Sequence, residues 1–185
     1  MPGYKELFAR YPNRIFIETG SYTGDGIQAA LDAGFEPVYS IELSAQLFSY
    51  CCRRFEHNDK VLLSHGDSGE MLSRILEYID EPVTFWLDSH YSEGATVMGK
   101  KETPLLEELE AISKHHIKTH TILIDDLRCW NKEVHGFDAR ELVRIITAIN
   151  PDYCFSQEDG IDSKFNVYRN DILVAQCLRN QPGIS

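Results

Sequence analysis

Short apolar runs that end in an acidic side chain recur along this chain, and they constrain its fold more than any other feature. Each run holds only a few residues, many of them β-branched or aromatic. A helix-like stretch with apolar residues three and four positions apart separates it from the next run. Strands that alternate with helices in this way build a parallel sheet with helices on both faces. We therefore predict a Rossmann-like, doubly wound α/β fold of about seven strands.

Residues typical of helix ends set the boundaries between these elements. Ser44, Asp67 and Asp138 each precede an amphipathic stretch and are predicted to cap it, and Gly34 is predicted to end an earlier helix. The helix after Pro104 is predicted to bury an apolar stripe formed by Leu105, Leu106, Leu109 and Ile112. The predicted strands cover residues 14–18, 37–42, 61–63, 83–87, 121–124, 153–156 and 172–176.

Composition narrows the class of protein. With 185 residues, of which 43% are hydrophobic and 25% charged, we expect a single globular domain over 1–185, either whole or excised from a larger polypeptide. No apolar run approaches the ~20 residues that span a bilayer, and the N-terminus lacks signal-peptide features, so we expect a cytoplasmic protein. The net charge of −11 argues against a nucleic-acid partner and leaves room for a cation. Fewer than 15 residues precede the first strand, which leaves almost no room for an N-terminal helical cap.

The ends of the first two predicted strands carry acidic side chains. Ligands of open α/β sheets bind at the carboxyl ends of the strands, so we expect Glu18 and Glu42 at a ligand edge and not in the core. Gly20 permits a tight turn after the first strand, and Gly24 lets backbone approach a ligand with no Cβ in the way. Glu42 follows Gly20 by 22 residues and is placed to accept both hydroxyl hydrogens of a ribose. The combination favours a nucleoside site over a mere tight turn.

The turn after the first strand separates two classes of nucleotide. A dinucleotide site uses G-x-G-x-x-G, because bare backbone amides must approach a pyrophosphate at the start of a helix. Here the pattern is E-x-G-x-x-x-G, and the carboxylate of Glu18 would repel a pyrophosphate. An acidic turn suits a ligand with an amine and a sulfonium, such as S-adenosylmethionine. A nicotinamide-dependent oxidoreductase is the competing enzyme class, and the turn lacks the third glycine that it needs.

With these strand ends and glycines, the chain resembles the class I S-adenosylmethionine-dependent methyltransferases over nearly its whole length. The resemblance implies the strand order 3-2-1-4-5-7-6, with the last strand antiparallel. It also implies that Glu42 holds the ribose and that Asp67 faces the adenine amine, although Asp67 alone fits a plain helix cap equally well. The implied cofactor-binding residues are Glu18, Gly20, Ser21, Gly24, Glu42, Ser44, Asp67, Ser68 and Asp88.

Acidic side chains also follow the predicted fourth and fifth strands. Asp88 comes directly after one of them, and Asp125 and Asp126 come directly after the other. Adjacent strands would bring these carboxylates to one rim, where they repel one another unless a cation joins them. Oxygen ligands of this kind suit a hard divalent ion such as Mg²⁺ or Mn²⁺. The alternative is that Asp125 and Asp126 cap a loop and Asp88 forms a salt bridge.

This Asp…Asp-Asp arrangement is similar to that of metal-dependent O-methyltransferases of the catechol type and especially of the macrocin, or sugar hydroxyl, type. The catechol type has Asp-Asn where this chain has Asp125-Asp126. The resemblance implies methyl transfer to a hydroxyl of a sugar or similar polyol. The alternatives are a catechol-like or other small natural-product hydroxyl, and a non-catalytic nucleoside-binding module. His90 is the first candidate for the catalytic base and Asp88 the second. Residues 89–101 are expected to form the loop that sets specificity.

Overall fold

The computed structural model describes residues 4–88, 104–161 and 166–177, and over these ranges it shows a seven-stranded mixed sheet. The strands are Ile15–Thr19 (β1), Val38–Glu42 (β2), Val61–His65 (β3), Val83–Leu87 (β4), Thr121–Ile124 (β5), Tyr153–Ile161 (β6) and Val167–Cys177 (β7). The α-helices are Tyr4–Ala9 (α1), Asp25–Asp32 (α2), Ala45–Arg54 (α3), Ser68–Leu76 (α4), Leu105–Lys114 (α5), Lys132–His135 (α6) and Ala139–Ile149 (α7), and a 3-10 helix, Leu127–Cys129, precedes α6. None of these helices is long and apolar enough to cross a membrane.

The strand order is β3-β2-β1-β4-β5-β7-β6, which confirms the predicted topology. Strands β1 to β5 run parallel, whereas β7 pairs antiparallel with both β5 and β6. The order reverses between β1 and β4, which is the point where ligands bind in open α/β sheets. Thr19 pairs with Ile41 and Leu87, and Leu87 pairs with Ile124. The carboxyl ends of β1, β2, β4 and β5 therefore lie side by side.

Helices pack on both faces of the sheet and bury two apolar clusters. One cluster includes residues of α4, α5 and α7, and the other includes residues of α1, α2 and α3. The predicted caps form, because Ser44, Asp67 and Asp138 accept hydrogen bonds from backbone N–H groups of α3, α4 and α7. The predicted burial of Leu106 is wrong, since this side chain is exposed. It lies off the buried stripe of α5, which is formed by Leu105, Glu108, Leu109 and Ile112.

The residues before β1, where we predicted almost no room for a helical cap, form one short helix. Helix α1 has six residues and buries Tyr4, Leu7 and Phe8. The ring centroid of Phe8 lies 4.8 Å from that of Phe16 and 5.2 Å from that of Trp86. The spacing i, i+3, i+4 places the three side chains on one face, so a helix of less than two turns can be held by packing alone.

The last two strands extend well beyond their predicted bounds. Strand β6 has nine residues and β7 has eleven. Their added residues pair as an antiparallel hairpin whose side chains, such as Glu158 and Arg169, are largely exposed or half-buried. The apolar pattern of the sequence could not predict these strand residues, because hydrogen bonds between the two backbones, and not burial of side chains, hold them in the sheet.

Candidate functional site

The turn after β1 needs glycine because of its backbone conformation. Gly20 and Gly24 have φ angles of 89° and 82°, which L side chains rarely adopt. The Gly20 N–H donates to the Ile41 carbonyl oxygen at 2.9 Å, which holds the turn against β2. A Cβ at Gly24 would lie 2.6 Å from the Phe55 ring. These requirements explain Gly24 without a ligand, and its role in cofactor approach stays a prediction.

The position of Glu18 at the end of β1 predicts an open side chain, but the structure buries it. Glu18 is only 2% exposed, and its Oε2 accepts a hydrogen bond from Ser40 Oγ at 2.6 Å. Ser40 Oγ in turn lies 2.6 Å from Ser21 Oγ. A Cβ at Gly26 would stand 1.8 Å from Glu18 Oε1, so only glycine leaves space there. Burial raises the pKa of Glu18 to about 8, although the Ser40 hydrogen bond opposes this.

Glu42 lies at the end of β2 with both carboxylate oxygens held by backbone. Oε2 accepts from the Tyr22 N–H at 2.9 Å, and Oε1 accepts from the Ser44 N–H at 2.7 Å. An ionised carboxylate oxygen can accept two hydrogen bonds, so each oxygen keeps capacity for one further donor. The Ser44 hydroxyl is occupied as the cap of α3 and accepts from the Leu47 N–H. Glu42 is therefore fixed in orientation, as a residue that binds a ribose must be.

Asp67 and Ser68 begin α4, beside the end of β3. Asp67 Oδ1 accepts from the Gly69 N–H at 3.0 Å, so the capping role is confirmed. The Ser68 hydroxyl is buried and donates to Oε1 of Glu108 on α5 at 2.5 Å. The Gly66 N–H donates to the Glu42 carbonyl oxygen at 3.0 Å and ties this loop to the loop after β2. The predicted contacts of Asp67 and Ser68 with adenine stay predictions.

The predicted acidic cluster forms where β4 and β5 end. One carboxylate oxygen each from Asp88, Asp125 and Asp126 can be chosen so that all three lie within 4.8 Å of one another. Asp125 and Asp126 are buried, and Asp88 is half-buried. Asp126 has a left-handed backbone conformation with a φ of 58°. The chain therefore turns sharply directly after β5, and both Asp125 and Asp126 lie at this edge of the sheet. We call these three residues the acidic rim.

Asp125 is held by a donor at each carboxylate oxygen. The Asp126 N–H donates to Oδ1 at 2.8 Å, and the Tyr4 hydroxyl donates to Oδ2 at 3.3 Å. The Trp130 indole N–H donates to the Asp125 carbonyl oxygen at 3.1 Å, so this tryptophan supports the rim from the core. Burial, followed by the charges of Asp88 and Asp126, raises the pKa of Asp125 well above its usual range. A bound cation would relieve this repulsion.

Arg128 is a cation that already faces the rim. Its Nη1 lies 2.6 Å from Asp126 Oδ1 and also pairs with Asp171 Oδ2, and its guanidinium carbon lies 3.9 Å from the centroid of the Tyr168 ring. The Arg128 N–H also donates to Asp171 Oδ1 at 2.9 Å. Asp126 thus forms a salt bridge with Arg128. One guanidinium is shared by the carboxylates of Asp126 and Asp171.

Several site residues escaped the sequence analysis, and one predicted residue cannot be placed. Tyr4 carried a weak signal, since it begins an i, i+3, i+4 apolar pattern, and Ser40 is a polar residue in an otherwise apolar strand. Asp171 gave no local signal, because its partner Arg128 is 43 residues away along the chain. His90 and the predicted specificity loop over 89–101 lie outside the described residues.

No family model and no curated protein matches this sequence. Solved structures match its fold. An O-methyltransferase from Bacillus cereus, in complex with S-adenosylhomocysteine, aligns at a TM-score of 0.65 with 16% identity, covering 94% of this chain and 78% of that one. The O-methyltransferase TomG from Streptomyces achromogenes, involved in tomaymycin synthesis and in complex with S-adenosylmethionine, aligns at 0.63 with 12% identity, covering 94% and 77%.

A third solved structure extends the likeness to another organism. The methyltransferase PaMTH1 from Podospora anserina, bound to S-adenosylhomocysteine, aligns at a TM-score of 0.55 with 11% identity, covering 94% of this chain and 76% of that one. At such low identities the likeness shows the fold alone. The chain has the Rossmann-like fold that these S-adenosylmethionine-dependent methyltransferases share.

Proposed function

We propose that this chain is an S-adenosylmethionine-dependent, divalent-metal-assisted O-methyltransferase that modifies a hydroxyl of a sugar or similar polyol. The observation that carries the proposal is the acidic rim, whose three carboxylates gather within 4.8 Å at the sheet edge that also bears Glu42. Fold neighbours in complex with the cofactor or its product support the cofactor class. The net charge of −11 supports a small-molecule substrate over a nucleic acid, and we propose a cytoplasmic location.

The loops after β1, β2 and β3 fit an S-adenosyl nucleoside. Glu42 offers two oriented carboxylate oxygens, which matches the two hydroxyl donors of a ribose. Glu18 and Ser68 are buried and bonded to Ser40 and Glu108, so we assign them to holding the loops in place. The residues that we propose to form the cofactor site are Glu18, Gly20, Ser21, Gly24, Glu42, Ser44, Asp67, Ser68 and Asp88.

The acidic rim fits a hard divalent cation. Two oxygens bound to one Mg²⁺ lie at most about 4.2 Å apart, because each Mg²⁺–oxygen distance is about 2.1 Å. The observed limit of 4.8 Å is larger than this value, so the three carboxylates would have to move closer together around a bound ion. The raised pKa of Asp125 supports a bound cation, since its causes include the charges of Asp88 and Asp126. Carboxylate oxygens favour Mg²⁺ or Mn²⁺ over softer metals.

In the proposed reaction, the acidic rim would activate the acceptor hydroxyl, and the nucleoside site would hold the methyl donor. A bound divalent ion would act as a Lewis acid, which lowers the pKa of a hydroxyl so that it can lose its proton near neutral pH. The acceptor hydroxyl gives its proton to a base, for which His90 and Asp88 are our candidates, and its oxygen takes the methyl group as the carbon–sulfur bond breaks. Glu42 would bind the ribose hydroxyls and so hold the nucleoside at the sheet edge that also carries the rim. Positioning of the two reactants supplies most of the rate gain.

The charge of the site bears on the acceptor. Asp88, Asp125 and Asp126 surround the proposed transfer point, so an anionic acceptor would be repelled and a neutral polyhydroxylated one is favoured. A pair of neighbouring hydroxyls suits a cation with two open positions. A catechol-like or other small natural-product hydroxyl is the second candidate, and the fold neighbour involved in tomaymycin synthesis favours it.

Methyl transfer from radiolabelled S-adenosylmethionine to a panel of sugars, polyols and catechols tests this function. We expect transfer with Mg²⁺ or Mn²⁺ that EDTA abolishes and that Asp125→Ala reduces by about 100-fold or more, with S-adenosylhomocysteine binding retained. Asp159→Ala is the matched control, because this carboxylate pairs with Arg169 on the β6–β7 hairpin. Transfer that survives EDTA contradicts the metal mechanism.

Two outcomes would point to a different class of protein. Binding of S-adenosylhomocysteine without transfer to any acceptor in the panel would favour a non-catalytic nucleoside-binding module. Calorimetric binding of NADH, with no binding of S-adenosylhomocysteine, would overturn the cofactor assignment and restore the oxidoreductase.

A further inference from the structure

The Tyr4 hydroxyl reaches the acidic rim from an element that has no other part in the site. It lies 3.3 Å from Asp125 Oδ2 and 3.0 Å from the carbonyl oxygen of Ile161, at the end of β6. Tyr4 is 5% exposed, so water does not compete for this hydroxyl. Its single hydrogen serves two acceptors, both farther away than the ~2.8 Å usual for a hydroxyl donor. The hydroxyl therefore ties α1 both to the Asp125 carboxyl group and to the end of β6.

The two donors on Asp125 determine the orientation of its carboxylate plane. The Asp126 N–H holds Oδ1 from the backbone, and the Tyr4 hydroxyl holds Oδ2 from the opposite end of the chain sequence. With only the Oδ1 contact, the plane could turn about the bond that joins it to Cβ. With both contacts, the carboxylate plane keeps one orientation beside Asp88 and Asp126.

The position of Tyr4 is itself well determined. Its ring packs against Phe8 at 5.8 Å and against Trp86 at 5.1 Å between ring centroids. Trp86 lies in β4, two residues before Asp88, so the ring rests on a strand that also carries the rim. Helix α1 thus fixes the hydroxyl relative to both strands that supply the acidic side chains.

We propose that Tyr4 is a positioning residue for the acidic rim: through its hydroxyl, helix α1 orients the Asp125 carboxylate for a divalent cation. This inference rests on the metal-binding part of the proposed function. It assigns α1 a purpose at the site and predicts that removal of one oxygen atom, outside the residues that contact the ion, weakens metal binding. Partners that orient metal ligands typically contribute about 10- to 100-fold in affinity.

The chain offers a matched control for this test. Tyr11 follows α1, and its hydroxyl donates to Glu158 Oε1 of β6 at 2.6 Å. Tyr11→Phe therefore removes a hydroxyl that ties the same N-terminal segment to the same strand, without touching the rim. Tyr4→Phe keeps the ring that packs on Trp86 and that lines a cavity of about 380 Å³ beside α1 and β6. Tyr4→Ala would disturb both.

Calorimetric titration with Mn²⁺, in the presence of saturating S-adenosylhomocysteine, measures the effect on the full chain. We expect Tyr4→Phe to weaken Mn²⁺ binding by about 10-fold and Tyr11→Phe by less than about 2-fold. S-adenosylhomocysteine affinity should be equal in all three proteins. In turnover assays, Tyr4→Phe should raise the Mn²⁺ concentration at half-maximal rate, and excess Mn²⁺ should restore most of kcat. A general loss of structure would lower kcat at every Mn²⁺ concentration.

Each result has one meaning when all three proteins are titrated at a temperature where circular dichroism shows them folded. Equal Mn²⁺ affinity in wild type and Tyr4→Phe overturns the role of Tyr4 and leaves the metal site standing. Equal weakening by Tyr4→Phe and Tyr11→Phe also overturns it, because the effect would then belong to the N-terminal segment as a whole. Absence of Mn²⁺ binding in the wild type overturns both the metal site and this inference.

Discussion

Buried titratable groups lie at both ends of the sheet, but they are satisfied in different ways. At the amino ends of β4 and β5, His115 and His120 form a hydrogen-bonded chain. At the carboxyl ends of the same strands, Asp88, Asp125 and Asp126 form the acidic rim. Burial shifts the pKa toward the neutral form at both ends, downward for His120 and upward for Asp125.

The amino end is a closed arrangement. The Val83 N–H donates to Nδ1 of His120 at 3.1 Å, so Nε2 of His120 carries the proton and donates to Nδ1 of His115 at 3.0 Å. Nε2 of His115 then donates to the Ile79 carbonyl oxygen at 2.8 Å. Two neutral imidazoles thus satisfy every nitrogen within the protein, and no ligand is needed.

The carboxyl end differs, because two short chain segments, the ends of β4 and β5, bring three acidic side chains together. Tyr4 donates to Asp125 and Arg128 pairs with Asp126, and burial, followed by the charges of Asp88 and Asp126, still raises the pKa of Asp125. The difference teaches that burial of a titratable group does not by itself mark a functional site. A functional site is indicated more strongly where the fold also brings side chains of like charge together, as it does at the acidic rim.

The largest predicted effect comes from removing one charge at the carboxyl end. Asp125→Asn should weaken Mn²⁺ binding by about 100-fold or more and should leave the metal-free protein as stable as wild type or more so, because the repulsion disappears. Calorimetry and thermal unfolding in EDTA measure the two quantities. Asp159→Asn is the control, and a clear loss of stability in Asp125→Asn would contradict the account.

The closed end should respond in the opposite way. His120→Ala leaves the Val83 N–H without an acceptor and opens space beside Phe85, so we expect a loss of about 2–4 kcal/mol in the free energy of unfolding. Mn²⁺ affinity should be unchanged where the variant is folded. His116→Ala removes a neighbouring exposed imidazole and should cost less than about 0.5 kcal/mol. Urea unfolding measures both values, and an equal loss in the free energy of unfolding for the two variants would contradict the structural role of His120.

A smaller effect, visible only in its pH dependence, should come from Glu18. Its pKa is about 8 in the folded protein because of burial, against an ordinary value of 4.5 for a glutamate side chain. Between these values the folded state keeps a proton that the unfolded state has lost, so stability falls as the pH rises through this window. Glu18→Gln should remove that contribution and unfold at higher temperature than wild type, with a difference that grows from pH 5 to pH 8. A pH-independent difference would contradict the assigned pKa.

The pKa of His120, at the amino ends of β4 and β5, shifts in the opposite direction and gives a second test. Burial lowers the pKa of His120 to about 3 in the folded protein, so the unfolded state takes up the extra proton as the pH falls below 6.5. Stability should therefore also decline on the acid side, and Glu18→Gln should not alter that decline.

The sequence predicted what is local or periodic, and it failed where structure depends on distant contacts. The parallel strands, the caps Ser44 and Asp138, and the gathering of the acidic rim followed from apolar runs, capping residues and the edge rule for parallel sheets. The burial of Glu18 did not, because it depends on Ser40 from the neighbouring strand and on the space left by Gly26. The contact between Tyr4 and Asp125 spans 121 positions and has no local pattern.

A crystal of the full chain soaked with S-adenosylhomocysteine and Mn²⁺ tests the central claim most directly. The account predicts a single anomalous peak for Mn²⁺ within bonding distance of carboxylate oxygens of Asp88, Asp125 and Asp126. It also predicts hydrogen bonds from the ribose hydroxyls of the nucleoside to Glu42. A nucleoside bound at Glu42 with no peak at the rim would contradict the metal-assisted reaction, and an empty crevice after β1 and β2 would contradict the cofactor site itself.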